Sequence, residues 1–138
     1  MIAVLDSGAG NLQSALNALK KIGADAKLVS DPAALAQASK ILFPGVGSWG
    51  AVMRLLQEKG FDKALKKLIG AGKPYFGICM GLQVLFEKSE EDPGEGLSIF
   101  KGEVAKFRTP KIPQIGWNLA QKIHGGIMET GYYYFTRL

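Results

Sequence analysis

Gly77-Ile78-Cys79-Met80-Gly81 decides how this chain folds. The apolar run Tyr75 to Ile78 before it reads as a buried strand. That strand passes straight through Cys79 into a helix expected over Leu82 to Phe86. A side chain displayed on so abrupt a strand-to-helix turn needs small residues two places to either side, because the backbone is crowded there. This is the geometry of the nucleophile elbow, with cysteine in place of serine. The turn exposes the sulfur at the carboxyl end of a strand and at a helix N-terminus, where the dipole favours a thiolate. A lone cysteine is by default a small buried hydrophobe; the glycine-flanked turn after an apolar strand shifts the reading to a nucleophile.

Working upstream, Pro44-Gly45-Val46-Gly47 stops a strand expected over Ile41 to Phe43. As a loop it is an ordinary two-glycine turn. Beside a nucleophile, its backbone N–H groups can form an oxyanion hole. Ser48 or its neighbours begin a helix through Gln57, and Phe61 to Ile69 carries Phe61, Leu65, Leu68 and Ile69 on one stripe. Earlier still, Ile2 to Leu5 reads as a strand and Ala26 to Val29 as another. Between them Asn11 caps a helix whose Leu12, Ala15, Leu16 and Leu19 share a face, ended by Gly23. Ser30-Asp31-Pro32 starts a short helical segment. Strand and helix alternate and the strands are nearly all apolar. That predicts an α/β fold: an open, mostly parallel sheet with helices on both faces.

Downstream the texture changes. Glu90-Glu91-Asp92-Pro93-Gly94-Glu95-Gly96 is an acidic, glycine- and proline-rich loop. Short β-like pieces follow at Ser98–Phe100, Glu103–Phe107, Ile115–Leu119 and Tyr132–Phe135, and predict an antiparallel extension of the sheet. The chain stops at Phe135-Thr136-Arg137-Leu138, directly after a strand-like run. A parallel sheet ending there would lack a covering helix, so residues 1–138 read as one domain whose last part is missing.

Composition narrows the function classes. The 138 residues are 47% hydrophobic and 21% charged, a globular balance. No apolar run approaches the roughly 18 residues of a membrane span. Met1 to Asp6 has no basic segment and an early acid, unlike a secretory signal. The single cysteine excludes an internal disulfide and a multi-cysteine metal site, and fits a reducing cytoplasm. A net charge of +5 could mean nucleic acid. However, the basic residues never run beyond pairs such as Lys20-Lys21 and Lys66-Lys67, which reads as a solvated surface. The charge would also suit an acidic partner or a phosphorylated substrate. Gly8-Ala9-Gly10 resembles the start of a dinucleotide fingerprint, but Gln13 stands where the third glycine belongs. A tight turn tucking a helix onto the sheet is the better reading.

Five segments occur together in order. They are Asp6-Ser7-Gly8-Ala9-Gly10-Asn11-Leu12, Pro44-Gly45-Val46-Gly47, Gly77-Ile78-Cys79-Met80-Gly81-Leu82-Gln83, Ser89-Glu90-Glu91 and Pro113-Gln114-Ile115-Gly116-Trp117-Asn118. This set resembles the class I glutamine amidotransferases, over essentially the whole chain. Within that class it is similar to the glutaminase subunits of imidazole glycerol phosphate synthase, in histidine biosynthesis. The nucleophile motif is shared by the class; the first and last segments narrow it to these subunits.

The resemblance implies that Cys79 attacks the side-chain amide of glutamine, releases ammonia and holds a thioester. The N–H groups of Met80 and Val46 would stabilise the oxyanion, Val46 after a peptide rearrangement. Gly47, Gln83 and Glu91 would hold the glutamine. Asn11, Pro113, Trp117 and Asn118 would lie near a (βα)8-barrel cyclase subunit that takes the ammonia. It implies no cofactor and no metal. Read without the family, Gln83 is a surface helix residue, Glu91 a loop acid and Trp117 a core aromatic.

The departures are equally specific. The family's base is a histidine followed by Pro-Glu, and this sequence has no such segment. Its one histidine, His124, lies in a polar loop at the wrong place in family order. Ser48 and Gln114 stand where the family often has histidine. The chain is therefore expected to be impaired in turnover. The alternative is a degenerate amidotransferase-like module that binds a partner without chemistry. Another cysteine-elbow α/β protein, such as a protease-like stress protein, fits the Pro113 to Asn118 segment poorly. The uncovered sheet edge is expected to favour self-association.

Overall fold

A computed structural model describes residues 1–8, 11–108 and 113–137. Ala9 and Gly10 of the glycine loop lie outside the described residues. The chain divides into two compact units, Met1–Ala105 and Lys106–Leu138.

The first unit begins with β1 (Ile2–Leu5), α1 (Leu12–Lys21), β2 (Ala26–Val29), α2 (Pro32–Gln37) and β3 (Lys40–Gly45). It continues with α3 (Trp49–Glu58), α4 (Phe61–Gly70), β4 (Tyr75–Cys79) and α5 (Met80–Gln83). Local chemistry sets the boundaries. The Asn11 side chain accepts from the Ser14 N–H at 3.2 Å, and the Asp31 side chain from the Ala33 N–H at 3.0 Å, satisfying first-turn donors of α1 and α2. Pro32 occupies the first turn of α2, where its missing N–H costs nothing.

Four strands form a parallel sheet in the order β2-β1-β3-β4. From β1 the chain crosses one way to β2, then back past β1 to β3 and on to β4. Right-handed crossovers then put α1 on one face and the later helices on the other. Burial follows this division. Ala3, Leu5, Val29, Ile41 and Phe43 join Leu35, Trp49, Val52, Leu56, Phe61 and Leu65 in one buried cluster. The α1 stripe of Leu12, Ala15, Leu16 and Leu19 is only half-buried. On that same face Leu28, Phe76 and Ile78 remain exposed.

The reversal of direction leaves the loops after β1 and β3 departing to opposite faces at neighbouring carboxyl ends. Such a switch point is where open α/β sheets bind their ligands. Cys79 ends the next strand over.

Several expectations need correction. Pro44 does not stop the third strand, which runs through to Gly45. β1 pairs with β3 only as far as Leu42, so one edge of β3 is free at Pro44 and no ladder bond is lost to the missing N–H. The helix after Cys79 is a single turn, Met80–Gln83, rather than Leu82 to Phe86. Ser98–Phe100 is not a strand. The N–H groups of Leu97, Ser98, Ile99 and Phe100 turn back to the carbonyls of Val84, Phe86, Leu85 and Leu85. Those carbonyls are thereby closed off, and the segment is spent on them. The Glu103–Phe107 piece shrinks to β6 (Glu103–Val104), which pairs in parallel with β5 (Lys88–Ser89).

In the second unit β7 (Gln114–Ala120) and β8 (Gly131–Arg137) form a two-stranded antiparallel sheet of their own. Trp117 faces Tyr134 across the ladder, edge to face, with ring centroids 5.7 Å apart.

Candidate functional site

Cys79 is the last residue of β4 and its backbone stands at φ 55°, ψ −117°. This is a region that side-chain-bearing residues rarely adopt, and it costs about 1–3 kcal/mol unless the surroundings impose it. The surroundings do. A Cβ on Gly77 would strike the Gly81 carbonyl, and a Cβ on Gly81 would strike the Phe43 carbonyl. The strand entering the turn and the helix leaving it therefore touch backbone to backbone, over the neighbouring strand. Only glycine at both positions permits that approach. The result exposes the Cys79 side chain and buries Met80 beneath it.

Cys79 stands in register with Gly45 of β3. Val46, exposed, and Gly47, at φ 116°, follow at once, so the Pro44–Gly47 segment at the end of β3 lies beside the nucleophile turn. Gln83 closes the single turn of α5 and is half-buried. One turn aligns few peptide dipoles, so the field of α5 at the sulfur is weaker than that of a long helix.

Glu91 comes to the same region from the acidic loop. Its carboxylate accepts from the Trp49 N–H at 3.1 Å, at the start of α3 just past Gly47. Its own N–H donates to the Ser89 hydroxyl at 3.1 Å. The first unit thus gathers Val46, Gly47, Cys79 and Met80 along adjoining strand ends, with Glu91 tied to the next helix.

The other candidates are placed as follows. Asn11 caps α1. Pro113, Trp117 and Asn118 belong to the second unit, where Trp117 and Pro113 are exposed and the Asn118 amide donates to the Gly116 carbonyl at 3.1 Å. His124 lies in the exposed connection between β7 and β8. Gln114 begins β7.

Two polar groups escaped the sequence reading, one beside the nucleophile turn and one just ahead of β4, at the other end of that strand. The Tyr75 hydroxyl donates to the Gly81 carbonyl at 2.5 Å, and burial pushes that hydroxyl well above its ordinary pKa. Nothing in an apolar strand signalled it beyond the choice of Tyr over Phe. Lys73 reaches the carbonyls of Leu35, Ala36 and Ala38 at the end of α2. A cation before Pro74 carried no signal of so distant a partner.

The model of the class-I glutamine amidotransferases matches residues 3–132. The chain belongs to the class-I glutamine amidotransferase family. Among curated relatives it is 45% identical over 116 residues to the imidazole glycerol phosphate synthase subunit HisH of Thermus thermophilus, covering 83% of this chain and 59% of the relative. It is 41% identical to the same-named subunit of a Synechococcus over 98% of this chain and 66% of the relative. It is 43% identical to that of Methanothermobacter thermautotrophicus over 99% of this chain and 71% of the relative. The chain therefore spans about three fifths of the Thermus subunit. A solved structure described as a glutamine amidotransferase superposes with a TM-score of 0.78 at 20% identity, covering 99% of this chain and 70% of that one. At that identity the likeness speaks for the fold.

Proposed function

We propose that this family member is the nucleophile-bearing part of a cytoplasmic glutaminase subunit of imidazole glycerol phosphate synthase. The observation that carries the reading is Cys79 held at φ 55° on a glycine-crowded turn, in register with Gly45 at the end of β3. The 41–45% identity to subunits of that name supports the narrower assignment.

In this reading the Cys79 sulfur adds to the side-chain amide carbon of glutamine. The Met80 N–H, and the Val46 N–H once its peptide turns inward, stabilise the oxyanion. Collapse breaks the C–N bond, a proton passes to the departing nitrogen, and ammonia leaves behind a γ-glutamyl thioester. Water then releases glutamate and restores the thiol. Gly47, Gln83 and Glu91 hold the glutamine. Ammonia goes to a (βα)8-barrel cyclase subunit that docks against Asn11, Pro113, Trp117 and Asn118.

A diazoketone glutamine analogue tests this reading. It should alkylate wild-type chain at Cys79 and leave Cys79→Ala unlabelled, with glutamine protecting. No labelling, or labelling that glutamine does not slow, would sink it. The second reading, a partner-binding module without turnover, draws on the absence of a His-Pro-Glu segment from these 138 residues. Labelling with cyclase binding but no ammonia release would favour it.

Self-association also belongs to this reading. Among the described residues β4 pairs only with β3, and Phe76 and Ile78 beside its free edge are exposed. Sedimentation that stays monomeric at high concentration would contradict it.

A further inference from the structure

The single turn of α5 has an accounting problem at Gly81. In a continuing helix the Gly81 carbonyl would accept the N–H four residues on, at Leu85. Here the Leu85 N–H goes to the Leu82 carbonyl and the Phe86 N–H to Gln83, because the chain tightens after one turn. Gly81 is buried, wedged against the Phe43 backbone. A buried carbonyl left without a donor is costly. The donor it receives is the Tyr75 hydroxyl at 2.5 Å, from six residues upstream.

The position of that bond matters more than its energy. Tyr75 is the first residue of the strand that leads to the nucleophile, and Gly81 is the second residue of the helix that leads away from it. The hydroxyl therefore closes a ring around Cys79. Its ring packs against the buried cluster, so the donor is fixed. Its hydroxyl stays protonated throughout the working range, since burial raises its pKa.

We propose that Tyr75 is a positioning residue for the nucleophile: through its bond to the Gly81 carbonyl it holds Cys79 at its strained turn and fixes the aim of the Met80 N–H. The proposal rests on the reading of Cys79 as the nucleophile. It goes beyond that reading by naming what holds the turn against its strain.

The test compares iodoacetamide alkylation of Cys79 at neutral pH in four forms of the chain. They are wild type, Tyr75→Phe, 3-fluorotyrosine at position 75, and Leu65→Val as a destabilised control in the same core. Cys79 is already exposed, so loosening the turn adds no access; it only removes the sulfur's fixed placement at the start of α5. Tyr75→Phe is expected to slow alkylation about threefold or more. The fluorinated tyrosine, which keeps the donor, should match wild type. Leu65→Val should lower the thermal midpoint and leave the rate alone. An unchanged or faster rate in Tyr75→Phe would overturn the proposal. So would an equal slowing in Leu65→Val, or a Tyr75→Phe chain that does not fold, since either makes the bond a matter of stability alone. Iodoacetamide needs no glutamine pocket. A chain that resists the diazoketone analogue would therefore sink the glutaminase reading and leave this comparison standing.

Discussion

The Glu91 carboxylate accepts a hydrogen bond from the Trp49 N–H at 3.1 Å, and so performs for α3 the service that the residue before a helix usually performs. Ser48 holds that preceding position and makes no side-chain bond to the helix. An acid from a loop 42 residues away replaces it. Since only Ser48 separates α3 from Gly47, the bond also steadies the loop that carries Val46.

Substitutions at Glu91 separate the cap from any role in holding substrate. Glu91→Ala should lower stability by about 1 kcal/mol, the usual value of an N-terminal cap. Glu91→Gln keeps an acceptor oxygen and should recover most of that loss in a urea melt. If the carboxylate also meets the ammonium of glutamine, Glu91→Gln should label slowly with the diazoketone analogue while melting like wild type. A Gln variant that labels normally would confine Glu91 to the cap.

Cys79→Gly should stabilise the chain while ending its chemistry. The backbone at φ 55°, ψ −117° suits glycine and strains any residue with a Cβ. Because the Cys79 side chain is exposed, its removal forfeits little packing. Relief of the strain is worth about 1 kcal/mol, less the added entropy of a glycine in the unfolded chain. A rise in the urea midpoint is the expected outcome; a fall would show that the turn is not strained.

Lys73 should matter far more than a lysine between a helix and a strand normally does. Its Nζ donates to the carbonyls of Leu35 at 3.1 Å, Ala36 at 2.7 Å and also Ala38. They lie at the end of α2, where helix carbonyls run out of backbone donors, although the Leu35 carbonyl also accepts the Ala38 N–H; α2 has no basic residue of its own in its last turn. Lys73→Met keeps most of the stem and removes the donor. It should cost about 1–3 kcal/mol, by the worth of hydrogen bonds to a charged group. Surface lysines such as Lys66, replaced likewise, should cost little in the same thermal melt.

The parallel sheet was legible because each of its strands is a short apolar run closed by a turn residue, and each early helix announces itself with a cap and a stripe. Asn11 and Asp31 cap as their residue types suggest. Legibility fails where distant backbone groups decide. Leu82 to Phe86 has the apolar pattern of a helix, yet Leu97 to Phe100 supplies donors to its carbonyls and bends both segments out of regular structure. The two-residue ladder of β5 and β6 is too short to leave a period in the sequence. At the site, the glycine spacing around Cys79 announced the crowded turn. Nothing local announced that the Tyr75 hydroxyl or the Glu91 carboxylate would brace it, because each bond joins residues whose neighbours read as ordinary strand or loop.

The last prediction is that a polypeptide of these 138 residues releases little ammonia from glutamine. Acyl transfer through Cys79 needs a base twice, to take the thiol proton and later to activate water on the thioester. The sequence holds one histidine, His124, and it sits in an exposed turn of the second unit rather than on a strand end of the first. A reactive thiolate can serve the first step without help and cannot serve the second. Loss of a triad partner leaves a residue of about 10³–10⁴-fold over water, from the oxyanion donors and binding alone. The thioester should therefore form and persist, so that one equivalent of ammonia appears in a burst and steady release is slow. Rapid quench with mass spectrometry of the γ-glutamyl adduct on Cys79 measures both phases, with Cys79→Ala as the blank. Sustained turnover that Cys79→Ala abolishes would overturn this prediction, and His124→Gln would then show whether His124 supplies the base.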